Sequence, residues 1–316
     1  MTVRGATPRF RLLVQVPGPT QDVWRRAFAA ALPEAAVAAW PDVAVPPDYA
    51  AVWKPPAELF ERCPGLQAIF NLGAGVDALL ATPALPAATP IYRLEDAGMA
   101  EQMAEYVTLA VLRAYREVDA YAEQQRDRIW QPRRRRPKAE FGVGILGLGV
   151  LGQAVAAALQ PFGFPVAGWS RTRRTVAGVT SYAGDDELGA FLAGTRVLVC
   201  LLPATAATAD LLDAATLSLL PRGAEVVNIA RGSLLVDADL LALLDAGHLA
   251  RATLDVFRDE PLPATHPFWH HPRITITPHT SAVTRVDASV AQVAARLRRL
   301  ADGLPIGGRV DRNRGY

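Results

Sequence analysis

The chain has 316 residues, 51% apolar and 20% charged, the make-up of a globular protein long enough for about two cores. A formal net charge of +2 excludes the broad basic surface of a polyanion binder, and two cysteines are too few for a disulfide framework. No apolar run approaches the roughly 20 residues of a membrane span, and the stretch Met1–Phe10 lacks the apolar segment of a secretory signal, so cytoplasm is the expected compartment.

Residues 10–95 alternate strand-like and helix-like pieces. Phe10 to Val16 reads as a strand stopped by Pro17-Gly18-Pro19, and Asp22 to Leu32 as a helix. Ala35–Trp40, Tyr49–Trp53 and Leu66–Leu72 are further strands, the last ending at Gly73-Ala74-Gly75. Such alternation predicts a parallel sheet. A long helix follows over Ala97 to Gln125, because Met99, Met103, Val107, Ala110, Val111, Ala114, Val118 and Tyr121 recur at spacings of three and four. The proline-bounded basic stretch Trp130 to Lys138, with its Arg133–Arg136 run, reads as a solvated loop.

Residues 141–282 form a second β/α series. Strands are expected at Gly142–Leu146, Val166–Ser170, Val197–Leu202, Glu225–Ile229, Ala252–Val256 and Ile274–Thr277, with helices such as Leu151–Gln160 and Asp237–Ala246 between them. A last helix over Asp287 to Ala301 has an apolar face of Val290, Val293, Ala294, Leu297 and Leu300. Cys200, inside an apolar run, reads as core filler.

The pattern Gly147-Leu148-Gly149-Val150-Leu151-Gly152 sits between the first of these strands and an apolar helix. That is the setting a dinucleotide-binding turn requires. The first glycine makes the tight turn, the second lets a pyrophosphate approach the backbone, and the third lets helix and strand pack closely. The helix N-terminus favours the negative charge. At the end of the next strand an NAD enzyme places a carboxylate for the ribose 2′-hydroxyl. This chain instead has Ser170, Arg171, Thr172, Arg173 and Arg174. Arg171 and a neighbouring guanidinium can pair with a 2′-phosphate, and the hydroxyls of Ser170 and Thr172 can add donors. NADP(H) is therefore the expected cofactor, with NAD(H) left open, and no metal is expected.

Three polar residues follow late strands of the series: Arg231 after Ala230, Glu260 beyond Phe257, and His279 after Pro278. In an open parallel sheet, ligands bind beyond the carboxyl ends of the strands. Arg231 can bind a carboxylate and polarise a ketone oxygen. His279 can protonate that oxygen as hydride arrives at the carbon, and Glu260 can orient the imidazole. Singly, each has an ordinary structural explanation, but the set fits hydride transfer to a 2-keto acid.

The motifs together resemble the D-isomer-specific 2-hydroxyacid dehydrogenases. They are Leu72–Asp77, Arg93–Met99, Gly144–Gly152, Trp169–Arg173, Ala230-Arg231-Gly232, Leu254–Phe257 with Glu260-Pro261, Thr277-Pro278-His279, and the tail Val310–Tyr316. The Arg93–Met99 stretch and the tail point to the glyoxylate/hydroxypyruvate reductase A subgroup. The resemblance implies an α/β fold of two Rossmann-like domains, one flavodoxin-like and one dinucleotide-binding. It implies that an NADP-binding domain (99–283) is inserted into a substrate domain (1–98 and 284–316), with the active site in the cleft and domain closure excluding water. It assigns Arg231, Glu260 and His279 the roles above. It gives Leu72, Gly73, Ala74 and Gly75 to the substrate carboxylate, with backbone N–H groups as donors. It places Leu202, Pro203, Ile229, Ala230, Asp255 and Ser281 along the cofactor, Asp255 near the nicotinamide carboxamide. Many relatives have small residues where this chain has Thr280-Ser281-Ala282, so an extra hydroxyl is expected beside the nicotinamide. Trp53 is a candidate wall of a small pocket, and Trp130 matches a loop tryptophan that reaches the partner subunit in related reductases. For both, packing is an equal reading.

The activity implied is reduction of glyoxylate to glycolate and of hydroxypyruvate to D-glycerate, by a homodimer joined through the cofactor domain. Two rivals stand beside it. One is a nucleotide-binding regulator or corepressor on the same fold, for which the Arg133–Arg136 run would be a nucleic-acid patch; the charge balance favours no nucleic-acid partner. The other is a dehydrogenase of the same superfamily with a different 2-keto acid. Formate dehydrogenases pair their histidine with Gln rather than Glu, and phosphoglycerate dehydrogenases usually carry a regulatory extension.

Overall fold

The computed structural model describes residues 7–134 and 136–316. Arg135 of the basic run, and most of the N-terminal stretch expected to lack a signal, lie outside them. The chain divides into two compact units, Met1–Gly98 with Thr284–Tyr316, and Met99–Val283.

The first unit is a five-stranded, all-parallel sheet. Its elements are β1 (Phe10–Gln15), α1 (Gln21–Ala31), β2 (Ala35–Ala39), β3 (Tyr49–Val52), α2 (Ala57–Arg62), β4 (Ala68–Asn71), α3 (Asp77–Leu80) and β5 (Ile91–Arg93). The strand order β2-β1-β3-β4-β5 is the flavodoxin-like one. Every residue of β3 and β4 is buried, because central parallel strands are covered on both faces and read as unbroken apolar runs. One side of the sheet closes over Leu13, Ala50, Val52, Ile69 and Ile91, packed with Leu59 and Phe60 of α2. The short β5 was not foreseen, since three residues after a proline give no period to detect. The tail Val310–Tyr316 is tied to this unit: Tyr92 pairs with Arg309, Val310 joins the core, and Arg312 donates to the carbonyls of Pro86 and Thr89 (2.7 Å each).

The second unit begins with α4 (Met99–Tyr115) and α5 (Val118–Arg126), then runs β6 (Val143–Leu146), α6 (Val150–Leu159), β7 (Val166–Ser170), β8 (Val179–Ala183), α7 (Asp185–Ala193), β9 (Val197–Cys200), α8 (Ala214–Ser218), β10 (Ala224–Asn228), α9 (Asp237–Asp245), β11 (Leu249–Leu254) and β12 (Ile274–Ile276). Its seven strands are parallel in the order β12-β11-β10-β9-β6-β7-β8. This is the doubly wound dinucleotide-binding order with one extra strand, and the order reverses between β6 and β9. Both of those strands are wholly buried. Cys200 is fully buried among apolar neighbours, and burial pushes its thiol up to about 12, so it is core filler as expected.

The helix expected over 97–125 is two helices. Asp96, Ala97 and Gly98 all have left-handed backbones and delay the start to Met99; Glu117, at φ 52, ends the first run and caps the second. Val118 and Tyr121, counted on its apolar face, are exposed as a result. Apolar spacing continues through the break, but backbone direction does not.

The chain returns to the first unit with α10 (Val286–Ala301), whose Val290, Val293, Ala294 and Leu297 are buried as the spacing predicts. Its polar side holds the segment after β5. Gln292 donates to the Glu95 carbonyl (2.7 Å) and accepts from the Glu95 N–H (2.9 Å), and Arg296 pairs with the Glu95 carboxylate. Among the described residues no helix is long and apolar enough to cross a membrane.

Candidate active site

The glycine turn joins β6 to α6. Gly147 has φ 105, and a side chain there would fall 2.9 Å from the Leu201 carbonyl. At Gly152 a Cβ would fall 1.9 Å from the Gly147 carbonyl, so the first turn of α6 rests directly on the loop. Gly149 differs. It is the N-cap of α6, and nothing lies within 4 Å of a Cβ built there. Val150 beside it is exposed, Leu151 is half-buried, and the helix is long enough to present a positive N-terminus. Open space over a side-chain-free helix start suits a pyrophosphate.

The loop after β7 carries the basic run. Ser170 spends its hydroxyl proton on the Thr172 carbonyl (2.8 Å). Arg173 pairs with Glu187 and donates to the Ser181 carbonyl, so it is anchored to α7 and β8. Arg171, Thr172 and Arg174 are exposed. Of the other residues expected along a cofactor, Leu202, Ile229 and Ala230 are buried and Pro203 is half-buried.

Arg231, Glu260 and His279 follow β10, β11 and β12, which are neighbours in the sheet. All three therefore lie at one edge. Gly232 fixes the first of them: a Cβ there would sit 1.9 Å from the Phe257 carbonyl carbon, so the loops after β10 and β11 are in backbone contact. Buried Asn228 donates to the Arg231 carbonyl (3.0 Å) and accepts from the Ala230 N–H. Glu260 is held by the Phe257 N–H at 3.0 Å on one oxygen and meets His279 Nδ1 at 2.8 Å on the other. With the proton on Nδ1, the ring donates to the carboxylate and Nε2 is left for other chemistry. His279 itself is at φ 54, a backbone that costs an L-residue energy and is retained where surroundings impose it.

Asp255, expected to face the cofactor, is fully buried. Its carboxylate accepts from Thr277 Oγ1 (2.6 Å) and from the N–H groups of Thr280 and Ser281 (2.8 Å each). Ser281 is buried with it. In the first unit, Leu72 and Gly73 are buried, and Ala74 and Gly75 half-buried. A Cβ on Gly73 would fall 2.3 Å from the ring of Trp53, so the indole covers that glycine. Sequence reading missed Asn71, a fully buried side chain that donates to the carbonyls of Gly73 and Gly75 (2.9 Å each) and shapes the loop. A polar residue closing an apolar strand was its only signal.

Comparison with known proteins gives the family and the fold. Residues 108–281 match the D-isomer specific 2-hydroxyacid dehydrogenase, NAD binding domain family. The chain is 47% identical over 299 residues to glyoxylate/hydroxypyruvate reductase A of Yersinia enterocolitica, covering 93% of this chain and 96% of that one. A crystal structure of a D-isomer specific 2-hydroxyacid dehydrogenase from Xanthobacter autotrophicus in complex with NADPH and MES superposes with a TM-score of 0.91 at 40% identity, covering 97% of this chain and 99% of that one. The NADPH-dependent glyoxylate/hydroxypyruvate reductase of Sinorhizobium meliloti, solved with NADP and sulfate, gives 0.91 at 36% identity, covering 97% and 100%. With two parallel α/β units, the glycine turn and the Arg–Glu–His edge, the chain belongs to the D-isomer-specific 2-hydroxyacid dehydrogenase family.

Proposed function

We propose that this protein is an NADPH-dependent reductase of small 2-keto acids, converting glyoxylate to glycolate and hydroxypyruvate to D-glycerate. The observation that carries the reading is the 2.8 Å bond between His279 Nδ1 and Glu260 at the edge that also bears Arg231. Relatives named glyoxylate/hydroxypyruvate reductase A and a structural neighbour holding NADPH support it.

The Gly147–Gly152 turn and the α6 N-terminus would hold the pyrophosphate, and Arg171 with Thr172, exposed on the loop after β7, would take the 2′-phosphate. Bound there, the nicotinamide supplies a hydride to the ketone carbon. Arg231 binds the substrate carboxylate and polarises the carbonyl oxygen. His279, steered by Glu260, gives the Nε2 proton to that oxygen, so the ketone gains a hydride and a proton and leaves as the 2-hydroxy acid. Within the first unit, the N–H groups of Gly73, Ala74 and Gly75, beside the Trp53 ring, suit a carboxylate. Cytoplasmic location belongs to the same reading, as does a homodimer formed through the second unit. Exposed Leu109, Val118, Tyr121, Ile129 and Trp130 on α4, α5 and the following loop support the dimer.

A panel of 2-keto acids assayed by NADPH absorbance, repeated with NADH, tests the reading. The expected result is turnover of glyoxylate and hydroxypyruvate with higher kcat/KM for NADPH. No turnover of any 2-keto acid, or a clear preference for NADH, overturns it.

A further inference from the structure

The strained backbone of His279 has to be held by something outside its own loop. Asp255 supplies part of the hold. Its carboxylate takes the N–H groups of Thr280 and Ser281, and its carbonyl takes the His279 N–H at 2.8 Å. The remaining bond to that carboxylate comes from the Thr277 hydroxyl at 2.6 Å. Thr277 Oγ1 is in turn 2.6 Å from the hydroxyl of Tyr106 on α4. A hydroxyl has one proton, and that of Thr277 is given to the carboxylate, so Tyr106 must be the donor to Thr277. Burial raises the Tyr106 phenol above its ordinary value, which keeps it a donor across the working range. The result is a directed chain of hydroxyls running from a helix to the loop that carries the imidazole.

We propose that Tyr106 and Thr277 are positioning residues for His279, acting through Asp255 to keep the imidazole in its productive orientation. This rests on the reductase reading above. Bonds in such a chain polarise one another, and each one lost loosens the next. The Tyr106 hydroxyl therefore acts only through Thr277.

Steady-state kinetics of Thr277→Val, Thr277→Ser, Tyr106→Phe and the Tyr106→Phe/Thr277→Val double variant tests the proposal. Thr277→Val keeps the shape and removes the hydroxyl; it should lower kcat about 10-fold while KM for the keto acid and for NADPH stays within about twofold. Thr277→Ser, which keeps the hydroxyl, should return kcat to within about threefold of wild type. Tyr106→Phe should lower kcat about threefold, and the double variant should be no slower than Thr277→Val alone. Wild-type kcat in both single variants, multiplicative losses in the double variant, or a rise in KM in place of a fall in kcat overturns the proposal while leaving the reductase reading intact. If Thr277→Val does not fold, Tyr106→Phe and Thr277→Ser decide it on the same readout. A wild-type enzyme that turns over no 2-keto acid overturns both.

Discussion

Replacing Glu260 by Gln tests the proposed steering of the His279 imidazole by its neighbouring carboxylate. The substitution keeps the side-chain length and one acceptor oxygen, so the main loss is the negative charge 2.8 Å from His279 Nδ1. At that separation a charge pair is worth about 1.5 kcal/mol in bulk water and about 6 kcal/mol at an effective dielectric constant of 20. The two side chains are 41% and 28% exposed, so solvent screening places the effect toward the lower figure, at about 1.5–3 kcal/mol. The carboxylate holds the ring with Nε2 turned away from it, so without that charge a smaller share of the bound complex is in the reactive arrangement, and this energy is lost from kcat. It corresponds to a fall in kcat of about 10–150-fold. KM should change little, because Glu260 acts on His279 and not on the substrate. Initial rates at saturating glyoxylate and NADPH measure it, and a Glu260→Gln enzyme within twofold of wild-type kcat would refute the steering role.

Other outcomes follow from the same geometry. Gly152→Ala forces a Cβ to 1.9 Å from the Gly147 carbonyl, so the turn must shift; KM for NADPH should rise at least about 10-fold and the melting temperature fall, as seen by fluorescence titration and thermal unfolding. Arg171→Ala should cut kcat/KM with NADPH about 10–100-fold and leave the NADH value nearly unchanged, through loss of a charge-assisted contact; equal losses with both cofactors would remove Arg171 from the 2′-phosphate site. Glu225 in β10 is raised from 4.5 to about 7, first by burial and then by Asp119. Below pH 4.5 it is protonated folded and unfolded. Between 4.5 and about 7 only the folded state keeps the proton, so its stabilising contribution is lost as pH rises through that window. Glu225→Gln should therefore raise the melting temperature by about 2–4 °C at pH 8 and by less at pH 5, and a uniform shift at both would contradict the assignment.

Much of the site was legible because its parts are local. The glycine pattern lies between an apolar strand and an apolar helix within a dozen residues, and Arg231, Glu260 and His279 each follow an apolar run that reads as a strand. What failed was local too. Val118 and Tyr121 keep the helical spacing of α4, and nothing in that spacing shows that Glu117 turns the chain. The basic loop offers Arg171 a neighbouring guanidinium and two hydroxyls in the sequence, yet Arg173 pairs with Glu187 and Ser170 donates to Thr172.

Most of the order of elements, the parallel sheets and the edge on which Arg231, Glu260 and His279 fall were determined by the sequence itself, since strand ends and apolar periods are set within a few residues. Which polar group meets which was decided by the tertiary structure. Asp255, Thr277 and Tyr106 lie up to 171 residues apart, and no pattern along the chain links them. They meet because buried hydrogen-bonding groups must find partners wherever folding brings them together.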